Sequence, residues 1–402
     1  MSALAATANH ATRDDASPRE TSVYVHFPYC ARKCPYCDFA TRGVPAHSIP
    51  HREYADAVLS ELRARAEQLG PRTLRSVFFG GGTPSLWETT ELARVLRGIL
   101  SAFPEHCEGL EVTVECNPNS FDDAKAAGLA EAGVNRVSLG VQSVDDARLR
   151  FLGRLHDAEQ ALAAVRATAR HIPRVSADLM FGMPDQESGA LRAEVARVLD
   201  LGVRHVSCYA LTIEPDTHFG ALHREGKLRV ASEDHYADMF AAAEQAFAGQ
   251  GLLHYEVSNY AVPGEESQHN LHYWRAGDYL GLGAAAVGCL SGGPGSAYRY
   301  RNQPDGHAYV QTFHDGAEAR EAEREALDGQ TLLREALMLG LRTAEGVDVA
   351  HAEQRAGLPL ETGRGPALRT ALARGQVVLD GGRLRVPHEQ WLALDGIVAS
   401  LF

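Results

Sequence analysis

The sequence has no long apolar run, no start typical of a secreted protein and no excess of basic residues. No apolar run approaches the 18 residues that suggest a membrane span, and the first twenty residues lack the apolar middle of a signal peptide. Lysine and arginine total 39 against 52 aspartates and glutamates, a formal charge of −13 without a basic stripe for a phosphate backbone. We therefore predict a cytoplasmic globular protein with a disordered tail over residues 1–20 and no nucleic-acid partner.

Cysteine is scarce outside one short segment. Three of the seven cysteines, Cys30, Cys34 and Cys37, stand within eight residues in YVHFPYCARKCPYCDF (residues 24–39). The remaining four stand alone: Cys107, Cys116, Cys208 and Cys289. Because a cytosolic compartment disfavours structural disulfides, the clustered cysteines indicate metal or redox chemistry.

Two kinds of metal centre compete for these three thiols. A four-cysteine zinc site usually takes two close pairs, and the sequence offers no second pair. Iron–sulfur clusters are held by thiolates, and three ligands from one loop fit one face of a 4Fe-4S cube. The fourth iron would then lack a protein ligand and could bind a small molecule. We favour the 4Fe-4S cluster, with zinc as the alternative.

Six short apolar runs, each followed by a helical pattern, organise most of the chain. The runs are SVYVHF, LRSVFFG, LEVTVEC, NRVSLGV, RVSADLMFG and RHVSCYALT. This order predicts an α/β fold with a parallel sheet, and six units rather than eight predict an incomplete (β/α)6 TIM-type barrel over residues 21–300. Residues 301–402 read as short helices followed by two strands in GQVVLDGGRLRVP, which predicts a small C-terminal helical, winged-helix-like domain.

Each of the six runs ends in a polar or glycine-rich group. These groups are the cysteine loop, GGGTPS, Glu115 with Asn117, Gln142, Asp178, and Tyr209 with Glu214. Turns are polar in most proteins, so any one position is weak evidence. Active sites of such barrels lie at the carboxyl ends of the strands, and six polar ends in succession predict a site there.

The cysteine spacing, the aromatic Tyr36 before Cys37 and the glycine run after the second strand resemble the radical S-adenosylmethionine (SAM) superfamily. The resemblance implies SAM bound to the open iron of the cluster and a partial barrel that positions it. It also implies that the glycines let the backbone approach the SAM amino group. Arg154 and Asp178 could instead form a structural ion pair. The residues that match SAM-contacting positions are Tyr24, Tyr36, Gly80, Gly81, Gly82, Thr83, Glu115, Gln142, Arg154, Asp178 and Ala210.

Further motifs resemble the coproporphyrinogen dehydrogenase-like branch of this superfamily from about residue 20 to the C terminus. They include VECNP, LGRLH, DLMFGMPDQ, HYEVSNYA, HNLHYW and GLGAAAVG. The dehydrogenase itself has a further cysteine two residues after the last cluster ligand, where this chain has Phe39, and a longer N-terminal segment. Both departures make the chain similar instead to the HemW-type haem chaperones.

The segment HNLHYW matches the HNxxYW pattern of those chaperones. Imidazole is a common haem ligand and aromatic rings pack against porphyrins. We therefore take His269 as the first haem candidate and His272 as the second, with Tyr273 and Trp274 as aromatic contacts. The same segment could instead form the wall of a substrate pocket or of a domain interface.

Two functions follow from the resemblance. In the first, the chain binds haem and transfers it to haem-requiring apoproteins, such as membrane-associated respiratory enzymes, using a 4Fe-4S cluster, SAM and an electron donor. In the second, it is an oxygen-independent coproporphyrinogen III oxidase that decarboxylates propionates. Phe39 and the short N-terminal segment favour the first, and no residue is assigned a catalytic role.

Overall fold

The computed structural model describes residues 19–314 and 321–402. The strands in these ranges are β1 (Arg19–Phe27), β2 (Tyr29–Cys30), β3 (Arg42–Gly43), β4 (Arg72–Gly81), β5 (His106–Cys116), β6 (Arg136–Gln142), β7 (Arg174–Phe181), β8 (His205–Ala210), β9 (Leu253–Glu256), β10 (Asn259–Ala261), β11 (Asp278–Leu282), β12 (Val287–Gly293), β13 (Ser296–Asn302), β14 (Glu321–Asp328), β15 (Val347–Asp348), β16 (Val378–Asp380) and β17 (Arg383–Arg385).

The helices connect and cover these strands. They are α1 (His51–Leu69), α2 (Thr89–Ala102), α3 (Asp123–Glu131), α4 (Asp146–Phe151), α5 (Ala158–His171), α6 (Ser188–Leu199), α7 (His218–Arg224), α8 (Glu233–Ala248), α9 (Gln268–Trp274), α10 (Gly306–His314), α11 (Gly329–Gly340), α12 (Val349–Ala356), α13 (Gly365–Ala373) and α14 (Leu394–Ala399). Short 3₁₀ turns lie at Ala46–Ser48, Pro84–Leu86, Pro118–Ser120 and His388–Ala393.

The six predicted strands form the parallel centre of a larger sheet. Strands β1, β4, β5, β6, β7 and β8 are neighbours in that order, and each pair is parallel. The full order is β14-β13-β12-β11-β1-β4-β5-β6-β7-β8-β10-β9, so the edge strands β14 and β9 lie at opposite ends. The predicted fold class, an incomplete barrel of parallel strands, is confirmed.

Strands at both ends of the sheet extend it beyond the predicted six. Strand β11 adds a parallel neighbour to β1, while β12, β13 and β14 continue antiparallel, and β10 and β9 do so beyond β8. Strand β14 has the sequence EAEREALD, most of it exposed, and therefore carries no apolar run that predicts a strand. Leu327 is the one buried residue of this strand, so β14 lacks the alternation of apolar and polar residues that identifies a strand with one buried face.

The central strands are buried because helices cover the sheet. All seven residues of β6 are buried, as expected for a parallel strand. At the start of α5, Asp157 and Gln160 form a reciprocal capping box that satisfies backbone N–H groups and fixes where this helix begins. In the core, Phe27 stacks on Trp87 with ring centroids 4.9 Å apart. The contact between Phe27 and Trp87 holds the end of β1, and thus the start of the cysteine loop, in place.

The C-terminal part of the chain has its own core. The antiparallel sheet β15-β17-β16 packs with α11 to α14 around Leu333, Leu337, Leu384 and Trp391. The two strands predicted around the Asp-Gly-Gly turn are β16 and β17. The boundary predicted at residue 300 falls inside β13, and β14 continues the main sheet to Asp328, so the division into domains stays a prediction.

The predicted disordered tail lies mostly outside the described residues, which begin at Arg19. Its last two residues, Arg19 and Glu20, are instead the first of β1 and pair with Arg72 and Thr73 of β4. This pairing corrects the predicted end of the tail, because polar residues can begin a strand when a neighbouring strand satisfies their backbone groups. Within the described ranges, no helix has the length and apolarity that a bilayer crossing requires.

Candidate functional site

The three clustered cysteines lie on a loop that folds back against the glycine run. Tyr29–Cys30 pairs with Arg42–Gly43, which closes the loop at its base. The amides of Gly82 and Thr83 donate to the carbonyls of Phe27 and Tyr29, at 2.7 and 2.9 Å. The three thiols are free and partly exposed, so this backbone arrangement presents three sulfur ligands from one loop.

A guanidinium group lies against the same loop. Arg154 Nη1 is 3.5 Å from the Sγ of Cys34, and its Nη2 donates to the Gly140 carbonyl at 2.8 Å. Burial raises the pKa of Cys30 and Cys37, so their protons must leave when a metal binds. Three thiols that become thiolates next to a fixed positive charge fit a 4Fe-4S cluster with one open iron. A fourth cysteine, Cys116, lines the neighbouring pocket, but it is buried and its thiol donates to the Val114 carbonyl at 3.8 Å.

A pocket of about 480 Å³ lies at the carboxyl ends of the parallel strands, beside the cysteine loop. Residues from the ends of the central strands line it, as the sequence predicts for a barrel. The predicted site residues among its lining are Cys30, Cys34, Cys37, Tyr36, Gly81, Gly82, Thr83, Glu115, Gln142, Arg154, Asp178 and Ala210. Asn117, Tyr209 and Glu214, noted at the same strand ends, also line it.

The glycine run is required by close packing. A Cβ at Gly82 would lie 2.6 Å from the Tyr29 carbonyl oxygen and 2.7 Å from that of Phe27, and backbone atoms cannot move aside cheaply. Gly81 has a φ of 104°, and a Cβ there would lie 2.5 Å from the ring of His26. Gly82 therefore lets the cysteine loop approach the end of β4. This packing requires a glycine whether or not SAM is bound.

Gly80 and Tyr24 are the two predicted SAM residues that do not line this pocket. A Cβ at Gly80 would lie 3.0 Å from both Glu115 Oε2 and the Tyr24 ring. The hydroxyl of the half-buried Tyr24 lies 3.0 Å from Nδ1 of His26, and Tyr24 lines a neighbouring cavity instead. The missing side chain of Gly80 therefore leaves room for the Glu115 carboxylate and the Tyr24 ring beside β4.

Two half-buried carboxyl groups face the pocket. The Gly81 amide donates to Glu115 Oε2 at 3.0 Å, and the Ser138 hydroxyl donates to Asp178 Oδ1 at 3.0 Å. Burial, and then the nearby Asp178, raise the pKa of Glu115 to about 7. Burial also raises the pKa of Asp178. Arg154 and Asp178 form no direct ion pair, since Arg154 contacts Cys34 and Gly140 instead.

We propose that the Glu115 carboxylate attracts the SAM ammonium, so its raised pKa predicts that SAM binds more tightly as pH rises from about 6 to about 8. At the lower pH the carboxyl group is mostly protonated and cannot attract the SAM ammonium, whereas at the higher pH it is ionised. We expect the affinity to fall by up to about tenfold for each pH unit below 7. Anaerobic equilibrium binding of SAM to the cluster-loaded protein measures this. A Glu115→Gln variant, which cannot ionise, should bind more weakly at pH 8 and lose this pH dependence. Equal pH dependence in both proteins would assign the titration to another group.

The HNLHYW segment forms helix α9, and its residues face different surroundings. His269 is buried: its Nδ1 lies 2.8 Å from the Ser76 hydroxyl and its ring stacks on Phe78. Its Nε2 has no partner within the described ranges. Nε2 of His272 donates to the Asp278 carbonyl at 2.7 Å. Trp274 lines a surface pocket together with His272, so the structure does not bring the four haem candidates to one cavity.

Tyr273 lines a second cavity of about 680 Å³, which adjoins the cysteine pocket. The two share Phe39, Gly81 and Glu115, and the Phe39 side chain is 58% exposed between them. Helix α11 supplies the opposite wall with Leu332, Glu335, Met338 and Leu339. Sequence reasoning missed this cavity because its walls come from distant segments without a shared motif. Phe39 was noted only as a departure from the dehydrogenase pattern.

Comparison with known proteins finds two matching family models and several similar proteins. The Radical SAM superfamily matches residues 24–195, and the HemN C-terminal domain matches residues 327–392. The chain is 35% identical to heme chaperone HemW of Lactococcus lactis over 339 residues, which cover 84% of this chain and 85% of that protein. It is 37% identical to heme chaperone HemW of Escherichia coli K12 over 268 residues, 66% of this chain and 69% of that protein.

Two further likenesses extend over almost the whole chain. The mouse mitochondrial radical S-adenosyl methionine domain-containing protein 1 is 35% identical over 400 residues, 96% of this chain and 88% of that protein. The solved structure of coproporphyrinogen III oxidase (HemN) from Escherichia coli, a radical SAM enzyme, superposes with a TM-score of 0.78 at 22% identity. The superposition covers 96% of this chain and 90% of the HemN chain. Because the two sequences are only 22% identical, this likeness supports the fold alone.

Proposed function

The chain belongs to the HemW family of radical SAM proteins, and on this basis we propose that it binds haem and transfers it to haem-requiring apoproteins. Membership of the radical SAM superfamily implies a 4Fe-4S cluster and SAM. The observation that carries the haem proposal is the cavity of about 680 Å³ beside the cysteine pocket, with Tyr273 of the HNLHYW segment in its wall.

The chemistry of this cavity suits a porphyrin. Tyr273 and Tyr279 pack edge to face with centroids 4.5 Å apart, and both line the cavity opposite the apolar side chains of α11. A flat apolar macrocycle gains stability when it leaves water for such walls. Arg299 and Arg355 also line the cavity. Arg299 already pairs with Glu325 and Glu335, and Arg355 with Asp278, so a propionate would share these guanidinium groups with the protein's own carboxylates.

His269 remains the first candidate for an axial ligand. Its ring lies edge to face with Tyr273 at 4.7 Å, one layer behind the cavity wall. Burial lowers the pKa of His269 far below the usual value, so its imidazole is neutral and keeps a lone pair for iron. Contact between Nε2 and a haem iron therefore requires Tyr273 to turn aside.

The cysteine loop and the strand-end residues would hold the cluster and SAM next to this cavity. When bound, the cluster supplies one-electron reduction and an open iron for SAM. Cys30, Cys34 and Cys37 would provide the thiolates, Arg154 would offset their negative charge, and Glu115 would attract the SAM ammonium. Phe39, which lies at the junction of the two spaces, would shield each from the other.

We propose three further features on the sequence resemblance alone. The acceptors include respiratory enzymes at the membrane, a separate protein reduces the cluster, and transfer takes place in the cytoplasm. The alternative function, decarboxylation of coproporphyrinogen III, has less support, because three relatives of 35–37% identity are named heme chaperones, whereas the coproporphyrinogen III oxidase structure is 22% identical.

A charge placed in the cavity wall tests where haem binds. Met338 lines the cavity and is 37% exposed, so we expect Met338→Glu to fold normally. Its carboxylate would lose water on contact with the porphyrin and repel the propionates, which should lower the haemin affinity at least about tenfold. Haemin titration followed by absorbance measures this.

The matched control is Leu392→Glu, which adds the same charge at a side chain that is 64% exposed and lines none of the cavities described above. It should bind haemin as the unaltered protein does. If Met338→Glu binds haemin equally well, haem does not occupy this cavity.

A further inference from the structure

Three side chains that can bind a metal ion converge at the β9 edge of the main sheet. They are Glu244 of α8, His254 of β9, and His388 in the 3₁₀ turn before α14. One ligand atom from each lies within 4.8 Å of the other two. The proposed haem function uses none of them, and strands β4 to β8 separate this edge from β1 and the cysteine loop.

The distances between these atoms resemble the edges of a metal coordination polyhedron. His388 Nε2 lies 3.2 Å from Glu244 Oε2 and 3.4 Å from His254 Nδ1. Ligand atoms at about 2.0–2.1 Å around a tetrahedral zinc ion are about 3.3 Å apart. His254 Nδ1 also lies 2.5 Å from the other carboxylate oxygen, Glu244 Oε1, which is the distance of a hydrogen bond. Both edges from His388 therefore match, and the hydrogen bond opens when an ion replaces its proton.

The charge and the packing also suit a cation. The Glu244 carboxylate accepts from the Tyr260 hydroxyl and faces one nitrogen of each imidazole ring. The two imidazole nitrogens also face each other, at 3.4 Å. Facing lone pairs of this kind need a proton or a cation between them.

The surroundings fix the two inner ligands. The Tyr260 hydroxyl donates to Glu244 Oε1 at 2.8 Å, the kind of outer contact that orients a ligating carboxylate. The His254 ring stacks on Tyr260 at 4.2 Å and lies 4.5 Å from Trp391, and its side chain is only 3% exposed. His388, with 51% of its side chain exposed, leaves one side open to water.

We propose that Glu244, His254 and His388 form a binding site for a divalent cation of the zinc class, with its fourth position open to water. Two imidazoles and one carboxylate are a zinc-type donor set. The first two ligands belong to the main sheet and its covering helix, whereas His388 adjoins Trp391 of the C-terminal core. The bound ion would therefore tie the C-terminal core to the edge of the sheet.

Metal counting tests the proposal. Protein whose cluster has been reconstituted anaerobically, so that the clustered cysteines are occupied, is incubated with zinc chloride and desalted, and zinc and iron are counted by mass spectrometry. We expect one zinc per chain above the level of His388→Gln and Glu244→Gln, at unchanged iron content. Because loss of even an outer partner costs about 10–100-fold in metal affinity, loss of a ligand should weaken zinc binding at least about 100-fold.

Thermal unfolding provides an independent readout. Zinc should raise the unfolding midpoint of the unaltered protein by about 2–4 °C and leave that of His388→Gln unchanged. His47→Gln, which changes an exposed histidine elsewhere, should retain both effects. Equal zinc content in the unaltered protein and in His388→Gln would overturn the proposal. It would identify the cluster as a hydrogen-bonded network of Glu244 with two histidines.

Discussion

A Cys34→Ser variant should lose the 4Fe-4S cluster completely. A serine hydroxyl is a poor ligand for iron at neutral pH, whereas a thiolate is the ligand that such clusters require. Cys34 lies 3.5 Å from Arg154, so the substitution also removes the sulfur that this guanidinium contacts. With two protein ligands left, we expect negligible iron and no broad cluster absorbance after anaerobic reconstitution. SAM should then bind poorly, since the open iron is absent.

Cys107→Ser provides the matched control for this loss. Cys107 is also free and partly exposed, but it does not line the cysteine pocket. The Cys107→Ser variant should retain the iron content, the cluster absorbance and the spectral response to SAM. A full, SAM-responsive cluster in Cys34→Ser would contradict the assignment of this residue as a ligand, and would favour a different metal arrangement such as zinc.

Replacement of His269 by alanine should have the second large effect, on haem. The Nε2 of His269 has no partner in the described part of the chain, and the neutral ring adjoins Tyr273 at the cavity wall. Loss of an axial imidazole should lower the haemin affinity at least about tenfold and change the absorbance spectrum of the bound haem. Haemin titration of the cluster-loaded variant measures both.

Two companion variants separate ligation from packing. Ser76→Ala removes the hydrogen bond to His269 Nδ1 but leaves Nε2 in place, so haem should still bind with a nearly unchanged spectrum. His272→Ala removes the second haem candidate, which donates to Asp278 and faces another pocket, and should leave the haemin affinity unchanged. If His269→Ala binds haemin as tightly and with the same spectrum as the unaltered protein, His269 is not the ligand.

The parallel centre of the fold was predictable because its signals are local. Each central strand is a short apolar run followed by an amphipathic helix, and the polar group at its end falls at the same rim by geometry. The edge strands were not predictable, since β13 and β14 contain exposed, charged residues and lack an apolar run. Strand β13 pairs with the edge of β12, and β14 pairs in turn with the edge of β13. For the same reason, the sequence did not show that the main sheet continues beyond residue 300 into β13 and β14.

The residues that line the cysteine pocket were predictable to a similar extent. The cysteine spacing, the glycine run and the strand-end residues lie in short motifs, and all but Tyr24 and Gly80 of the predicted cluster and SAM residues line one pocket. The reason for Gly82 was not predictable, because it depends on carbonyl groups of Phe27 and Tyr29 that approach from another strand. The fold brings these carbonyl groups next to Gly82, whereas the sequence motif shows only that a glycine stands there.

Sites built from distant segments gave no sequence signal. The cavity of about 680 Å³ is lined by Phe39, Tyr273 and Met338. The proposed cation site consists of Glu244, His254 and His388. Neither set has a fixed spacing along the chain. The HNLHYW motif illustrates the opposite error, since its neighbouring residues suggest one site but α9 directs Tyr273 and His272 to different pockets.

The most direct test of the proposed function compares two reactions of the anaerobically reconstituted protein. One vessel receives haemin and then the apo form of a respiratory haem protein; the other receives coproporphyrinogen III, SAM and a reductant. The account predicts stoichiometric haem binding, transfer to the apoprotein and no decarboxylated porphyrinogen. Decarboxylated product without haem transfer would contradict it, and would show that the enzyme reaction proceeds with Phe39 in place of the further cysteine.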